Sequence, residues 1–212
     1  LYSLIEKIKK RENIDAIENI IEIREKKCII HKENKEHNDI NSDIVSYDKL
    51  SPRLQFSTIN IRTARGCPNR CKFCNYPVRN PKLELQMLDN IKKQILDLYN
   101  IDRVKNVVFI DDSFNMPLNR FKDICKMMIE LGSRKPWYSY FRMSHCDEEA
   151  IALMKESNCE GVFLGIESAD NKVLENMNKR TTYEQYIEAL LLLKKDRINT
   201  FAYFLIGFPG ET

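Results

Sequence analysis

No apolar run in the 212 residues approaches the roughly 20 that a membrane-spanning helix needs, so no membrane partner is expected. Charge of one sign is equally scarce. Thirty-four Lys and Arg stand against 31 Asp and Glu, a net charge of +3. That is too little to mark a nucleic-acid-binding surface; it suits an anionic cofactor and indicates nothing more. A secretory leader is not expected, because Leu1 opens into Glu6, Lys7, Lys9, Lys10, Arg11 and Glu12. Histidine is rare, and His31, His37 and His145 show no ligand spacing. The seven cysteines are odd in number and irregularly placed, which is not the pattern of a secreted disulfide framework. An odd count with three clustered fits a reducing compartment and a metal, and a cytoplasmic location is expected. With 43% hydrophobic and 31% charged residues, the chain can build one soluble domain with a core.

What is present centres on Cys67-Pro68-Asn69-Arg70-Cys71-Lys72-Phe73-Cys74, directly after a strand-like run, Ser57–Thr63. Structural zinc takes four protein ligands, and iron–sulfur clusters are normally held by four cysteines. A trio leaves one position open, as a reacting ligand requires. Spacing alone leaves three readings: a cluster with one free iron, a zinc site completed elsewhere, or coincident buried thiols.

Along the chain, Leu1, Leu4, Ile5 and Ile8 follow helical spacing, continued by Ile14, Ile17, Ile20 and Ile21 after a possible cap at Asn13. Ile21-Glu22-Ile23 and Cys28-Ile29-Ile30 predict a small hairpin, with Cys28 half-buried. Residues 31–53 are polar and read as a linker. A repeated unit follows. Glu84–Tyr99 is helical, with Leu85, Leu88, Ile91, Ile95 and Leu98 on one face. Asn106–Ile110 is a strand ending at Asp111-Asp112, and Pro117 suits the first turn of a helix that ends at Gly132. Trp137–Phe141 is a strand, and Asp147 caps the next helix. Gly161–Ile166 is a strand, Asp170 caps a short helix, and Thr182 with Gln185 forms a capping box before Tyr186–Lys195. Phe201–Ile206 is the fifth strand. Strands alternating with helices predict an α/β fold with a parallel sheet, either a barrel truncated after its fifth strand or, second, a doubly wound sheet. Both chain ends read as cuts.

In either fold, ligands sit beyond the C-terminal ends of the strands. The residues there are the cysteine motif, Asp111-Asp112, Arg142-Met143-Ser144, Glu167-Ser168 and Gly207-Phe208-Pro209-Gly210-Glu211. Polar, charged and glycine residues thus gather on one rim, as a binding site demands.

A Cys-x3-Cys-x2-Cys motif after a first strand, in a β/α repeat, resembles the radical S-adenosylmethionine (SAM) superfamily over residues 57–212. The resemblance implies a partial (β/α)6 TIM-like barrel with a helical and hairpin amino-terminal segment. It implies that Cys67, Cys71 and Cys74 hold a [4Fe–4S] cluster whose fourth iron chelates SAM. One electron then cleaves the sulfonium to methionine and a 5′-deoxyadenosyl radical, which takes a hydrogen atom from substrate. By the same resemblance Phe73 packs near adenine, and Asp111 or Asp112 binds the amino group of the methionine moiety. Arg142 with Ser144 meets its carboxylate, Glu167 with Ser168 holds the ribose, and Gly207 passes close to adenine. Each has a structural alternative: core packing for Phe73, a helix cap for the aspartates, ion pairs for Arg142 and Glu167, a plain turn for Gly207. Arg70 and Lys72 either tune the cluster or are solvated. Glu211 departs from the superfamily's spacing and is left out. Cys125 reads as core, Cys146 as core or pocket, and Cys159 has no partner spacing.

Phe109-Ile110-Asp111-Asp112-Ser113-Phe114-Asn115, Ser139-Tyr140-Phe141-Arg142, Gly165-Ile166-Glu167-Ser168 and Gly207–Thr212 resemble the branch with an upstream cobalamin-binding domain, and within it enzymes of the phosphinothricin-pathway P-methyltransferase type. That narrower resemblance implies methyl transfer from methylcobalamin, with residues 1–53 as the tail of an upstream domain plus linker and 54–212 as the radical SAM core. It implies a small-molecule substrate, an electron donor such as flavodoxin or ferredoxin, and no nucleic acid. Two alternatives stand: a methylthiotransferase acting on tRNA or protein, whose branch needs a further cysteine-bound cluster, and a zinc-stabilised interaction module without catalysis.

Overall fold

The computed structural model describes residues 2–211 apart from 16, 34–38, 43 and 55, so His37 lies outside the described residues. The chain divides into two units, Leu1–Asp39 and Ile40–Thr212. In the first, α1 (Tyr2–Lys10) carries Lys7, Lys9 and Lys10 in its last turn, where the helix dipole favours cations. The helical continuation predicted after Asn13 does not form. Asn13 Oδ1 instead accepts from Asp15 N at 2.7 Å, closing a side-chain turn that competes with helix. The predicted hairpin is present as β1 (Ile21–Arg24) paired antiparallel with β2 (Lys27–Ile30). Its two-residue turn holds Glu25 and Lys26 at φ 50° and 65°, the positive pair that matches strand twist. Cys28 is exposed on β2, not half-buried as expected, because no described residue of this unit covers that strand.

In the second unit, β3 (Thr58–Ile61) follows short 3-10 turns at Tyr47–Lys49 and Pro52–Leu54. The described part of the expected linker from Ile40 onward belongs here. Ile40 and Tyr47 are buried, and the Tyr47 hydroxyl donates to Asn60 O at 2.8 Å. The two-residue strand β4 (Ala64–Arg65) follows, then the turn α2 (Tyr76–Arg79) and β5 (Glu84–Leu85), which pairs with β4. The helix predicted from Glu84 therefore begins later, as α3 (Leu88–Tyr99), after an extended Met87. The repeat continues through β6 (Asn106–Phe109), α4 (Leu118–Glu130), β7 (Trp137–Phe141) and α5 (Glu148–Glu156). It closes with β8 (Cys159–Glu167), α6 (Asn171–Asn176), α7 (Tyr183–Lys195) and β9 (Asn199–Phe204).

The five long strands are all parallel, in the order β3-β6-β7-β8-β9. Strand order follows sequence order without the reversal that defines a doubly wound sheet, so the fold is the expected partial α/β barrel. Crossovers between parallel strands of this order carry their helices to one face, where α3 contacts α4, α4 contacts α5 and α5 contacts α7. Trp137, Ser139 and Phe141 of β7 turn to that face and are buried, packed through edge contacts of Trp137 with Phe109, Phe114 and Phe121 at 5.6–6.4 Å. The alternate residue Tyr140 turns to the other face, with Phe163, Phe201 and Tyr203. Among the described residues no helix is long and apolar enough to cross a membrane.

Candidate active site

The strand ends are locked before they present anything. Asp111, just past β6, is buried with its carboxylate turned into the sheet end. It accepts from Thr63 N at 2.7 Å, Ala64 N at 2.9 Å and the Thr63 hydroxyl. Burial pushes its carboxyl up, against the hydrogen bonds from Thr63 and Ala64 and the charge of Arg120. Arg120 completes the clamp, donating to Thr63 O at 2.8 Å and Gln86 O at 3.1 Å. Asp111 therefore anchors the loop that leads into the cysteine motif and does not line the cavity described below. It is not a helix cap either, since α4 is preceded by Pro117 without a side-chain cap. Asp112 points the other way and lines a cavity, where burial raises its carboxyl and the Tyr76 hydroxyl hydrogen bond opposes that rise.

The motif loop turns at Gly66, where φ is +90° and a Cβ would lie 1.9 Å from Lys82 O. Only glycine fits there. Lys72 N then donates to Met177 O at 2.9 Å, and Asn178 Nδ2 donates to Arg70 O at 2.7 Å, docking the loop beyond α6. Cys71 is buried, Cys67 half-buried and Cys74 exposed, and all three thiols are free. They line one cavity of about 330 Å³ together with Phe73, Asp112, Arg142 and Glu167. Tyr140, Phe163 and Tyr203 form its apolar wall.

Arg142 ends β7. Its backbone is fixed by Asn115, whose Oδ1 accepts from Arg142 N at 2.9 Å and whose Nδ2 donates to Arg142 O at 2.7 Å. Its guanidinium donates to Cys71 Sγ at 3.8 Å, Ser144 Oγ at 3.2 Å and Lys179 O. Glu167 ends β8 at φ +66° and accepts from Lys179 Nζ at 2.8 Å. A Cβ on Gly165 would lie 2.4 Å from Glu167 Oε1 and 3.0 Å from Lys179 Nζ, so this glycine makes room for the pair. Lys179 Nζ also lies 5.5 Å over the Phe73 ring, a cation–π contact.

Of the residues expected at the site, the fold brings together Cys67, Cys71, Cys74, Phe73, Asp112, Arg142 and Glu167. It does not bring Asp111, Ser144, Ser168 or Gly207 to the cavity wall. Ser144 bonds Arg142 and the His145 ring. Ser168 accepts from Asp170 N at 3.2 Å. The Gly207 N–H donates to the Glu211 carboxylate at 2.5 Å. Arg70 and Lys72 are exposed and do not line the cavity. Cys125 and Cys159 are core, and burial pushes the Cys125 thiol up to about 12. Cys146 lines a separate small cavity beside Met143 and Ser144. His31 bonds Asp15 O, while burial and Arg142 lower His145. Lys179, Asn69, Tyr76 and the aromatic wall were not legible as site residues. Asn69 is buried with Nδ2 3.6 Å from Cys67 Sγ.

The three thiols share the cavity without converging. Among the described residues no three His, Cys, Asp or Glu are arranged to hold one metal ion. A four-iron cluster meets each thiolate through its own iron and does not need them to converge, so the trio fits that group.

Comparison with known proteins agrees with this geometry. A relative described as an uncharacterized methyltransferase, from Pyrococcus horikoshii, is 31% identical over 153 residues, 72% of this chain and 33% of its own. A tRNA-2-methylthio-N(6)-dimethylallyladenosine synthase from Thermodesulfovibrio yellowstonii is 27% identical over 94% of this chain and 46% of its own. The chain thus spans a third to about half the length of these relatives. Solved structures of the radical SAM methyltransferase TsrM from Kitasatospora setae match with TM-score 0.77 and 19% identity, over 99% of this chain and 44–46% of theirs. At that identity the likeness is one of fold. The family model described as the radical SAM superfamily matches residues 61–212, and with the cysteine trio at the mouth of a partial α/β barrel it shows that the chain belongs to the radical SAM superfamily.

Proposed function

We propose that this chain is the barrel region of a cobalamin-dependent radical SAM methyltransferase. The observation that carries the reading is the cavity in which three free thiols meet two buried cations and two carboxylates at the C-terminal rim of a parallel sheet. When bound, a [4Fe–4S] cluster supplies the electron that cleaves the SAM sulfonium, and cobalamin supplies methyl transfer. The protein's part is to hold and orient. Cys67, Cys71 and Cys74 ligate three irons. Asp112 accepts from the SAM amino group, and its partly desolvated carboxylate makes that contact stronger than in water. Glu167 receives the ribose hydroxyls, sharing its carboxylate with Lys179. Phe73 flanks adenine, and Tyr140, Phe163 and Tyr203 exclude water from the reacting atoms.

The name of the Pyrococcus relative supports methyl transfer, and the TsrM structure with cobalamin and a [4Fe–4S] cluster bound supports cobalamin. Residues 1–53 are proposed as the junction to a cobalamin-binding region, since the TsrM likeness extends over 99% of the chain. The partners proposed are a small-molecule substrate and a low-potential electron donor. A methylthiotransferase is the second reading, favoured by the Thermodesulfovibrio relative.

Anaerobic purification of the full-length protein tests these readings. About four irons per chain, bound cobalamin and methyl label passing from SAM to cobalamin support the first; about eight irons and a methylthiolated product support the second. Stoichiometric zinc without iron would overturn both. Cys71→Ala is expected to abolish iron binding and SAM cleavage, and retained cleavage would refute the ligand assignment.

A further inference from the structure

Among the described residues Arg142 is a buried cation with no carboxylate partner. Only 8% of it is exposed, and its three side-chain partners are a thiol, a hydroxyl and a carbonyl. The acids nearby are otherwise engaged: Glu167 with Lys179 Nζ at 2.8 Å, Asp111 with Thr63 and Ala64, and Asp112 with Tyr76. A guanidinium kept out of water with only neutral partners is costly. The sulfur of one proposed cluster ligand, Cys71, lies 3.8 Å from Nη1.

The orientation is imposed from outside. Asn115 grips the Arg142 backbone on both its N–H and its C=O, at 2.9 and 2.7 Å. With Nε on Ser144, Nη2 on Lys179 O and Nη1 on Cys71, each guanidinium nitrogen already donates to a protein acceptor, and at most two of its five N–H groups remain for a carboxylate. That argues against the role expected from the sequence, a bidentate partner of the SAM carboxylate.

We propose instead that Arg142 is a positioning residue for the cluster: it holds the Cys71 thiolate and makes the cluster easier to reduce. The inference rests on the reading of the cysteines as cluster ligands. Reduction adds one electron, and so one negative charge, to a group already carrying thiolates. A fixed cation and an N–H donor on one ligand sulfur stabilise the reduced form more than the oxidised one, and hydrogen bonds to the sulfurs are a recognised lever on such potentials.

The test uses the full-length, anaerobically reconstituted protein. The midpoint potential of the cluster is measured by a redox titration followed by electron paramagnetic resonance, without SAM. SAM affinity is measured separately on the oxidised protein. In Arg142→Gln the reduction constant is expected to fall on the order of tenfold, about 59 mV for one electron. Iron content should be retained and SAM affinity should change little. Arg142→Lys, which keeps the charge and loses the fork, should recover about half of that shift, leaving the potential below wild type. An unchanged potential with a tenfold or larger loss of SAM affinity would overturn the proposal and restore the carboxylate role. Unchanged potential and unchanged affinity would overturn it as well, leaving Arg142 structural. If Arg142→Gln fails to retain iron, Arg142→Lys decides: a potential below wild type supports the proposal, and an unchanged one refutes it. Wild-type protein that takes up no iron would refute the proposed function itself.

Discussion

Replacing Asp111 with alanine separates the two adjacent aspartates most sharply. The change removes the acceptor of Thr63 N at 2.7 Å, Ala64 N at 2.9 Å and the Thr63 hydroxyl, all on a residue pair that is fully buried or nearly so. Each orphaned donor costs about 1–2 kcal/mol, so the loss is about 3–6 kcal/mol. Arg120 loses its neighbouring charge as well. A domain of this kind has about 5–15 kcal/mol in total. With a urea dependence of about 2 kcal/mol/M, the midpoint should fall by about 1.5–3 M. The assay is urea denaturation followed by the fluorescence of Trp137, the single tryptophan, which is buried in the affected core. Asp112→Ala is the companion. Its carboxylate lines the cavity, so stability should stay within about 1 kcal/mol while SAM affinity falls about tenfold or more. The opposite partition, a stable Asp111→Ala that no longer binds SAM, would refute the assignment of Asp111 as the anchor.

Two further outcomes are expected. Gly165→Ala places a methyl group 2.4 Å from Glu167 Oε1 and 3.0 Å from Lys179 Nζ. Something must move by about 1 Å, at a cost of about 1–3 kcal/mol; SAM affinity measured by equilibrium dialysis should fall, and unchanged affinity would remove Glu167 from the site. Lys122 bonds Asp147 at 2.7 Å and Glu149 at 2.6 Å. Burial pushes Asp147 up, but hydrogen bonds from Lys122 and Ala150 N outweigh it, and its carboxyl sits below the usual 3.8. A depressed carboxyl contributes stability above its unfolded value and loses it as pH falls through the folded one. Lys122→Met should therefore lower the melting temperature at neutral pH, with the gap to wild type closing as pH drops below about 4; a gap independent of pH would contradict the ion-pair account.

Where structure depends on near neighbours, the sequence was readable. The Thr182–Gln185 capping box forms with both of its hydrogen bonds, and Asp147 and Asp170 cap their helices as expected. The strand–helix alternation was also plain, and with it the rim to which polar residues had to come. Local propensity failed where a distant partner intervened. Glu84–Leu85 continues a helical pattern, yet pairs as a strand with Ala64–Arg65. Asn13 closes its own turn where a helix was expected to begin.

The finer questions all turned on contacts remote in sequence. Asp111 and Asp112 are chemically alike and adjacent; Asp111 is held away from the cavity by bonds from Thr63, 48 residues away, and from Ala64. Arg142 reaches Cys71 across 71 residues, and Asn178 holds the cysteine loop across 108. Lys179 carries no motif and gains its place only because α6 packs beneath that loop. By itself the sequence determined the cysteine trio, the alternation and therefore the rim, since spacing and hydrophobic period are properties of neighbours. Only the tertiary structure decided which polar groups meet there and what each one bonds, because a side chain's partners are fixed by packing that brings distant strand ends together.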